Sequence, residues 1–275
     1  MDPLPLLNWL CDQSPTFAEV FFYLLERHPC SVANPWSIVA YVDEAVPGNM
    51  LNLDHTRKAH CWYWSFEEFG PELLCREENW FIGGILRSSV VSDDLRGGGS
   101  CMFKHWVKRF FETGVDFAVG VSVHGARGPA FVVARLSTVL ADEAAQKDIW
   151  GVKGSSGVKP CLNCINVVLK KRKQRLDAGF VTVECEDLSK LILHSDERRW
   201  EAADSVTKSY HTLGKTAFQK EQRKQGVTYN PDGILFDKKL REHAKPISTS
   251  VNEWCHVFLV GGIAQTELWL FLEHA

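Results

Sequence analysis

The sequence predicts an α/β fold with the element order strand, strand, strand, helix, strand. Three observations predict it: β-branched and aromatic runs at 36–42, 60–66 and 80–88, an amphipathic stretch from Phe103 to Glu112, and a further apolar run from Ala130 to Leu140. Short runs of this composition bounded by turn residues read as strands. Apolar residues at 103, 106, 107, 110 and 111 recur three and four apart, which gives a helix one buried face.

Taken in order, Phe17 to Glu26 reads as a short apolar helix, and Asn34-Pro35 as the turn that follows it. The first strand, Trp36-Ser-Ile-Val-Ala-Tyr-Val42, stops at Asp43, and Val46-Pro47-Gly48-Asn49 turns the chain. The short spacing of the next two strands suits an antiparallel meander. The loop from Asp93 to Ser100 carries Gly97-Gly-Gly99 but lacks the Gly-Lys-Ser/Thr ending of a phosphate-binding loop, so it reads as a flexible connector. The fourth strand, 130–140, ends at Asp142. Beyond it the chain turns polar, with a basic run at Lys170-Lys-Arg-Lys-Gln-Arg175, and few apolar periodicities appear before Asn252. The segment Asn252 to His274 reads as a helix, which Ser248, Thr249 or Ser250 could cap. The predicted organisation is therefore a helical lead-in at 1–35, a core at 36–164, a mainly helical and irregular insertion at 165–247, and a C-terminal helix at 248–275 packed on the core.

Composition narrows the function classes. With 10 Trp and 16 Phe the core should be rich in aromatic rings. The formal charge is −3, from 31 basic and 34 acidic residues, so any nucleic-acid binding must come from a local patch. Nine cysteines, an odd number, do not make a secreted disulfide framework in a chain of 275 residues. The start, MDPLPLLNWLCDQ, has no basic region or small-residue cleavage site. No apolar run reaches the roughly 18 residues of a membrane span. An intracellular protein, nuclear or cytoplasmic, without a membrane partner is expected.

Asp43 and Asp142 are the first candidates for chemistry, because each follows the C-terminal end of an apolar strand. Open α/β sheets place ligands at that edge. Were the two strands parallel neighbours, both carboxylates would meet, and their repulsion would favour a hard divalent cation such as Mg²⁺. Aspartate after a strand also serves as a turn or helix-cap residue. Glu44 and Glu143 sit beside the pair, and strand alternation points them elsewhere. Cys161 and Cys164 form a Cys-x-x-Cys pair, a spacing that can bind one Zn²⁺ when two further ligands are present, or can simply pack as two buried thiols.

The block Tyr41-Val-Asp-Glu-Ala-Val-Pro-Gly-Asn49, followed by Arg57-Lys58 and Trp62-Tyr-Trp-Ser-Phe66, resembles the catalytic region of Kyakuja–Dileera–Zisupton (KDZ) transposases. The blocks Ala141-Asp142-Glu143-Ala144, Lys153-Gly-Ser-Ser-Gly157 and Lys159-Pro-Cys-Leu-Asn-Cys164 extend the resemblance, which covers about 36–164 and resumes near 251. It implies a ribonuclease-H-like mixed sheet (three antiparallel strands, then a helix and a parallel strand). It also implies DNA cleavage and strand transfer at transposon ends and target, with Mg²⁺ or Mn²⁺ held by Asp43 and Asp142, and a possible homo-oligomer. The family's third acid lies on a downstream helix, where Glu267 and Glu273 are the candidates here. His256, with Glu253 or Cys255, stands where the family has further ligands, so Cys161, Cys164, His256 and Glu253 are the implied structural zinc set. The insecure third acid and the short stretch before the first strand read as a truncated copy. The competing expectation is a non-catalytic DNA- or protein-binding remnant that keeps the fold and the zinc.

Overall fold

The structure is a computed structural model that describes residues 2–45, 58–125, 128–169, 179–183, 185 and 187–252. The chain divides into two compact units. The first comprises Met1–Val91, His105–Ala145 and Thr249–Ala275; the second comprises Ser92–Lys104 and Gln146–Ser248.

The first unit is α/β, built on a mixed five-stranded sheet. Strands β1 (Trp36–Ala45), β2 (Ala59–Phe66) and β3 (Phe81–Arg87) form an antiparallel meander. Two parallel strands extend it on the other side of β1, giving the order β3-β2-β1-β6-β9, with β6 at Ala134–Ala141 and β9 at Ser250–Asn252. Period-two alternation puts Trp36, Ile38, Ala40 and Val42 on one face of β1, all nearly inaccessible to solvent. Cross-strand register aligns Ile38 with Phe66, Ala40 with Trp64 and Val42 with Trp62, which stacks large apolar side chains in rows. The aromatic core is dense: Trp36–Phe66 centroids lie 5.0 Å apart, Trp64–Phe81 4.7 Å and Trp64–Phe110 5.0 Å, mostly edge-to-face or tilted.

Two helices precede the sheet. The predicted helix at 17–26 appears as α2, Pro15–Arg27, with Ser14 Oγ accepting from Phe17 N at 3.2 Å as its cap. Ahead of it lies α1, Pro3–Gln13, which the sequence reading does not include. Its buried Leu7 and Cys11 stand one helical turn apart, and Asn8 Oδ1 accepts from His124 N at 2.9 Å.

Two sequence expectations for this part of the chain are corrected. The apolar run 130–140 is not one strand: β4 (Val121–Gly125) and β5 (Gly128–Val132) make a separate hairpin, and the chain enters β6 only at Ala134. At the switch, Val133 O accepts from Trp36 N at 2.8 Å and Phe117 O accepts from Ala134 N at 2.7 Å, so backbone bonds redirect the chain to β1. The segment at 250–252, expected to cap or open a helix, is instead β9. Val139 N donates to Thr249 O at 2.7 Å, and an extended Ser-Val-Asn completes the parallel edge of the sheet. The remainder of the predicted C-terminal helix, from 253, lies outside the described residues, as does the predicted turn at 46–49.

After a short helix α3, Gly70–Leu74, the amphipathic helix is present as α4, Gly98–Phe111, and its predicted face is buried at all five positions: Phe103, Trp106, Val107, Phe110 and Phe111. It starts five residues earlier than the periodicity predicts. The glycine run is therefore not a connector but the first turn of a helix. Gly99 N donates to Asp148 Oδ2 at 3.1 Å, and a Cβ at Gly99 would come within 2.0 Å of that carboxylate.

The second unit is mainly helical and irregular. It holds α6 (Asp196–Thr212) and α7 (Lys215–Gln225) around a small core of Ala202, Ala203, Val206, Val227 and Leu235, flanked by Tyr229, Phe218 and Trp200. A two-residue pair, β7 (Val167–Val168) and β8 (Val181–Thr182), lies before α6. Asp196 ties the start of α6 to the segment leading out of the unit, accepting from Ile247 N at 2.7 Å and Ser248 Oγ at 2.8 Å. Helix α5, Glu143–Ile149, contains the residue 145/146 boundary between the units. Among the described residues, no helix is long and apolar enough to cross a membrane.

Candidate functional site

Strands β1 and β6 run parallel, and their last paired positions are Val42 and Ala141. The next residue on each is an aspartate, so Asp43 and Asp142 occupy neighbouring positions at the C-terminal ends of adjacent strands, which are about 4.8 Å apart in any sheet. Val42 and Ala141 face the aromatic core at 2% and 0% exposure. Alternation therefore turns Asp43 to the opposite face, with Tyr41, while β6 ends one residue before Asp142.

Strand β1 runs two residues past Asp43, which pairs in register with Cys61. The Asp43 carboxylate is oriented from two sides: Tyr41 Oη donates to Oδ2 at 3.3 Å and Glu44 N donates to Oδ1 at 2.7 Å. Asp43 borders an open groove of about 850 Å³, whose walls include Tyr41, Tyr63, Trp80, Ile82 and Leu140. Tyr41 and Tyr63 stack at 6.2 Å with 26° between their planes, and Trp80 stands edge-on to Tyr41. Burial, first, and then the Cys61 thiol and the Asp43 charge raise the Tyr63 hydroxyl above its ordinary value.

Asp142 has a structural task as well. Its Oδ1 accepts from Ala145 N at 2.6 Å, the bond of a helix N-cap, and α5 begins at the next residue. Glu143 is that first helical residue. Glu44 is engaged elsewhere, with Lys58 Nζ at 2.8 Å and Ser88 Oγ at 2.6 Å. Partial desolvation is the largest influence on Glu44 and acts upward, yet the bonds from Lys58 and Ser88 with the Lys58 charge together hold its carboxyl below the usual range.

Cys161 and Cys164 lie in the second unit, partly buried and buried respectively. Their thiols interact: burial and then the neighbouring Cys161 push the Cys164 thiol up to about 11. Cys164 bridges in antiparallel fashion to Leu193, and Asn163 O accepts from His194 N at 2.8 Å, which places the backbone of His194 beside the pair. Arg199 of α6 sends Nη2 to Leu162 O at 2.7 Å, between the two cysteines. Neither His194 nor Arg199 is singled out by sequence, since each lies about 30 residues or more along the chain from the pair. Tyr41 was legible, standing two residues from Asp43 on the same strand face.

Among the described residues, no group of three or more His, Cys, Asp or Glu side chains stands close enough together to hold a metal ion. Glu253, Cys255, His256, Glu267 and Glu273, the candidates for further zinc ligands and the third acid, lie outside the described residues, as does the basic run 170–175. No protein-family model matches the chain, and no curated protein matches it.

Proposed function

We propose that this chain is a ribonuclease-H-like, transposase-type nuclease core that cuts DNA strands, with Asp43 and Asp142 as its acidic pair. The observation that carries the reading is the parallel pairing of β1 and β6, which ends one residue before both aspartates. The sheet order β3-β2-β1-β6-β9, with an antiparallel meander on one side of β1 and parallel strands on the other, accords with the fold the sequence resemblance implies.

Two partly exposed carboxylates on neighbouring strand ends suit Mg²⁺ or Mn²⁺, which take hard oxygen ligands and fill their remaining positions with water and substrate phosphate. When bound, such an ion lowers the pKa of an attacking water or 3′-hydroxyl and offsets charge on the leaving oxygen. The chain's own residues do the positioning. Tyr41 and the Glu44 amide hold the Asp43 carboxylate, and the Ala145 amide holds that of Asp142. Lys58 and Ser88 keep Glu44 engaged away from Asp43. The aromatic wall of Tyr41, Tyr63 and Trp80 offers ring faces against which bases could stack.

The test is nicking of supercoiled plasmid DNA by the full chain with Mg²⁺ or Mn²⁺. The reading expects nicked product that disappears with chelator and falls to background in both Asp43→Asn and Asp142→Asn. Nicking that survives either substitution would overturn it. A second reading, a non-catalytic DNA-binding remnant, is favoured by the cap bond of Asp142, which explains that residue without chemistry. It expects metal-independent DNA binding and no nicking by the folded wild-type chain.

A further inference from the structure

The second unit carries a basic surface, built where the chain folds back over the end of α7. That helix stops at Gly226, whose φ of 72° is the left-handed geometry of a C-cap, and its last turn holds Arg223 and Lys224. The segment 151–159 is tied to this end by backbone bonds. Thr228 N donates to Gly151 O at 2.7 Å, Lys153 N to Gly226 O at 3.0 Å and Val158 N to Arg223 O at 3.1 Å. Two lysines are thereby fixed beside the helix end. A Cβ added at Gly226 would lie 3.4 Å from Lys159 Cβ, and one added at Gly157 would lie 3.0 Å from Lys153 Cβ. Lys147 of α5 borders the same turn, its stem crossing Gly154 so closely that a Cβ there would come within 2.8 Å of Lys147 Cδ.

The ordinary reason for cations at a helix C-terminus is its orphan carbonyls. Backbone amides already take those carbonyls: Gln222 O accepts from Gly226 N at 2.9 Å, and Arg223 O and Gly226 O are held by Val158 and Lys153. The Lys153 ammonium donates instead to the Thr228 hydroxyl at 3.2 Å. Two carboxylates lie on the same stretches, and each is engaged. Asp148 Oδ2 accepts from Gly99 N at 3.1 Å, while Glu221 pairs with Lys224 at 3.6 Å and accepts from Gln225 Nε2 at 2.7 Å. Like charges are thus gathered on one rigid turn, an arrangement that an anion bridging them would relieve.

The kind of anion follows from what accompanies the charge. A helix that lies on an anionic membrane presents an apolar face beside its cations. The large apolar residue of α7, Phe218, is instead turned into the core of the unit, its ring 5.4 Å from Tyr210 and 5.8 Å from Tyr229. Cations on a fixed turn without an apolar anchor suit nucleic-acid phosphates, which are contacted by charge and without reading sequence. We propose that Lys153, Lys159 and Arg223, with Lys147 at their margin, form a seat for the sugar-phosphate backbone of duplex DNA. The choice of DNA rests on the nuclease reading above, and the seat supplies the local patch that a chain of net charge −3 requires. It holds substrate and takes no part in bond breaking.

The experiment measures binding of the full chain to a labelled duplex by fluorescence anisotropy, in chelator so that cleavage cannot intervene, over a series of salt concentrations. Arg223→Gln and Lys153→Gln should each weaken binding severalfold, equally for unrelated duplex sequences, and each should lower the slope of log affinity against log salt by about one. Lys215→Gln with Lys220→Gln removes two exposed charges from the other part of α7 and should leave that slope unchanged. Arg223 is exposed, so its variant decides should Lys153→Gln fail to fold. The inference is overturned by wild-type affinity and slope in both seat variants, by equal losses in the Lys215/Lys220 control, or by a wild-type chain that binds no duplex. Seat-dependent binding to vesicles of phosphatidylcholine and phosphatidylserine, in place of DNA, would overturn it too. Seat-dependent DNA binding without metal-dependent nicking would keep this inference and sink the nuclease reading, whereas nicking with binding indifferent to the seat would do the reverse.

Discussion

At the scale of single residues, Asp142 caps a helix and, on the proposed nuclease reading, also serves the reaction, and different substitutions separate the two. Asparagine caps a helix about as well as aspartate, and alanine does not. Asp142→Ala should therefore lower stability by about 1 kcal/mol, measured by urea denaturation, while Asp142→Asn should leave the midpoint nearly unchanged. If both lose nicking, the carboxylate charge and not the cap is what the reaction uses. His194 gives a second residue-scale prediction. Burial, then the Arg199 charge, push it down to about 4 from 6.5, although the Ser195 carbonyl acts the other way. The unfolded chain therefore takes up a proton near 6.5 that the folded chain refuses until about 4. Stability that is intact above pH 6.5 should be lost as pH falls toward 4, and His194→Gln should flatten that decline in denaturation midpoints across the interval.

At the scale of elements, the seat of α4 on the sheet depends on a missing side chain. Gly83 of β3 lies under Trp106 of α4, and a Cβ there would come within 2.4 Å of Trp106 Nε1. Trp106 is itself buried and packs at 4.6 Å against Phe110, so the ring has little room to retreat. Gly83→Ala should cost about 1–3 kcal/mol and broaden the aromatic signals of near-ultraviolet circular dichroism. Unchanged stability would mean that the helix slides over β3 more freely than this packing implies. The same helix shows how far periodicity reaches in this sequence. Its buried face at 103, 106, 107, 110 and 111 was readable, because one amphipathic face leaves a 3.6-residue signature. Its start was not, because Gly98 and Gly99 have poor helix propensity and the amide of Gly99 is held by Asp148, 49 residues away.

At the scale of the whole molecule, the proposed nuclease reading turns on whether the two strand-end carboxylates act together. On that reading the two residues would hold one ion and act as a unit, so Asp43→Asn, Asp142→Asn and the double variant should all sit at the same background in the nicking assay; residual nicking in one single variant that the double variant lacks would indicate separate roles. The formal charge of −3 gives DNA no general attraction, so binding should rest on few phosphate contacts and weaken only modestly with salt. A shallow slope of log affinity against log salt, from fluorescence anisotropy with a labelled duplex, is the expected outcome.

The sequence by itself determined the α/β class, the three-strand meander, the helix that follows and the two aspartates that end apolar runs. These are local: period-two alternation, apolar spacing and turn residues lie within a few positions of each other. The break of the run 130–140 into β5 and β6 was not legible, because Val132, Val133 and Ala134 offer no turn residue; backbone bonds to Phe117 and from Trp36 make the switch. Nor was β9, a three-residue Ser-Val-Asn segment too short to carry an alternation signal, which pairs as a strand along the edge of β6. Tertiary structure also decided that Asp43 and Asp142 are neighbours, since register between strands 99 positions apart is set by packing of the core face and not by either strand alone. It likewise placed Arg199 against the backbone of Leu162, a contact with no local signature, because a buried arginine on a polar helix reads in sequence as one more solvated charge.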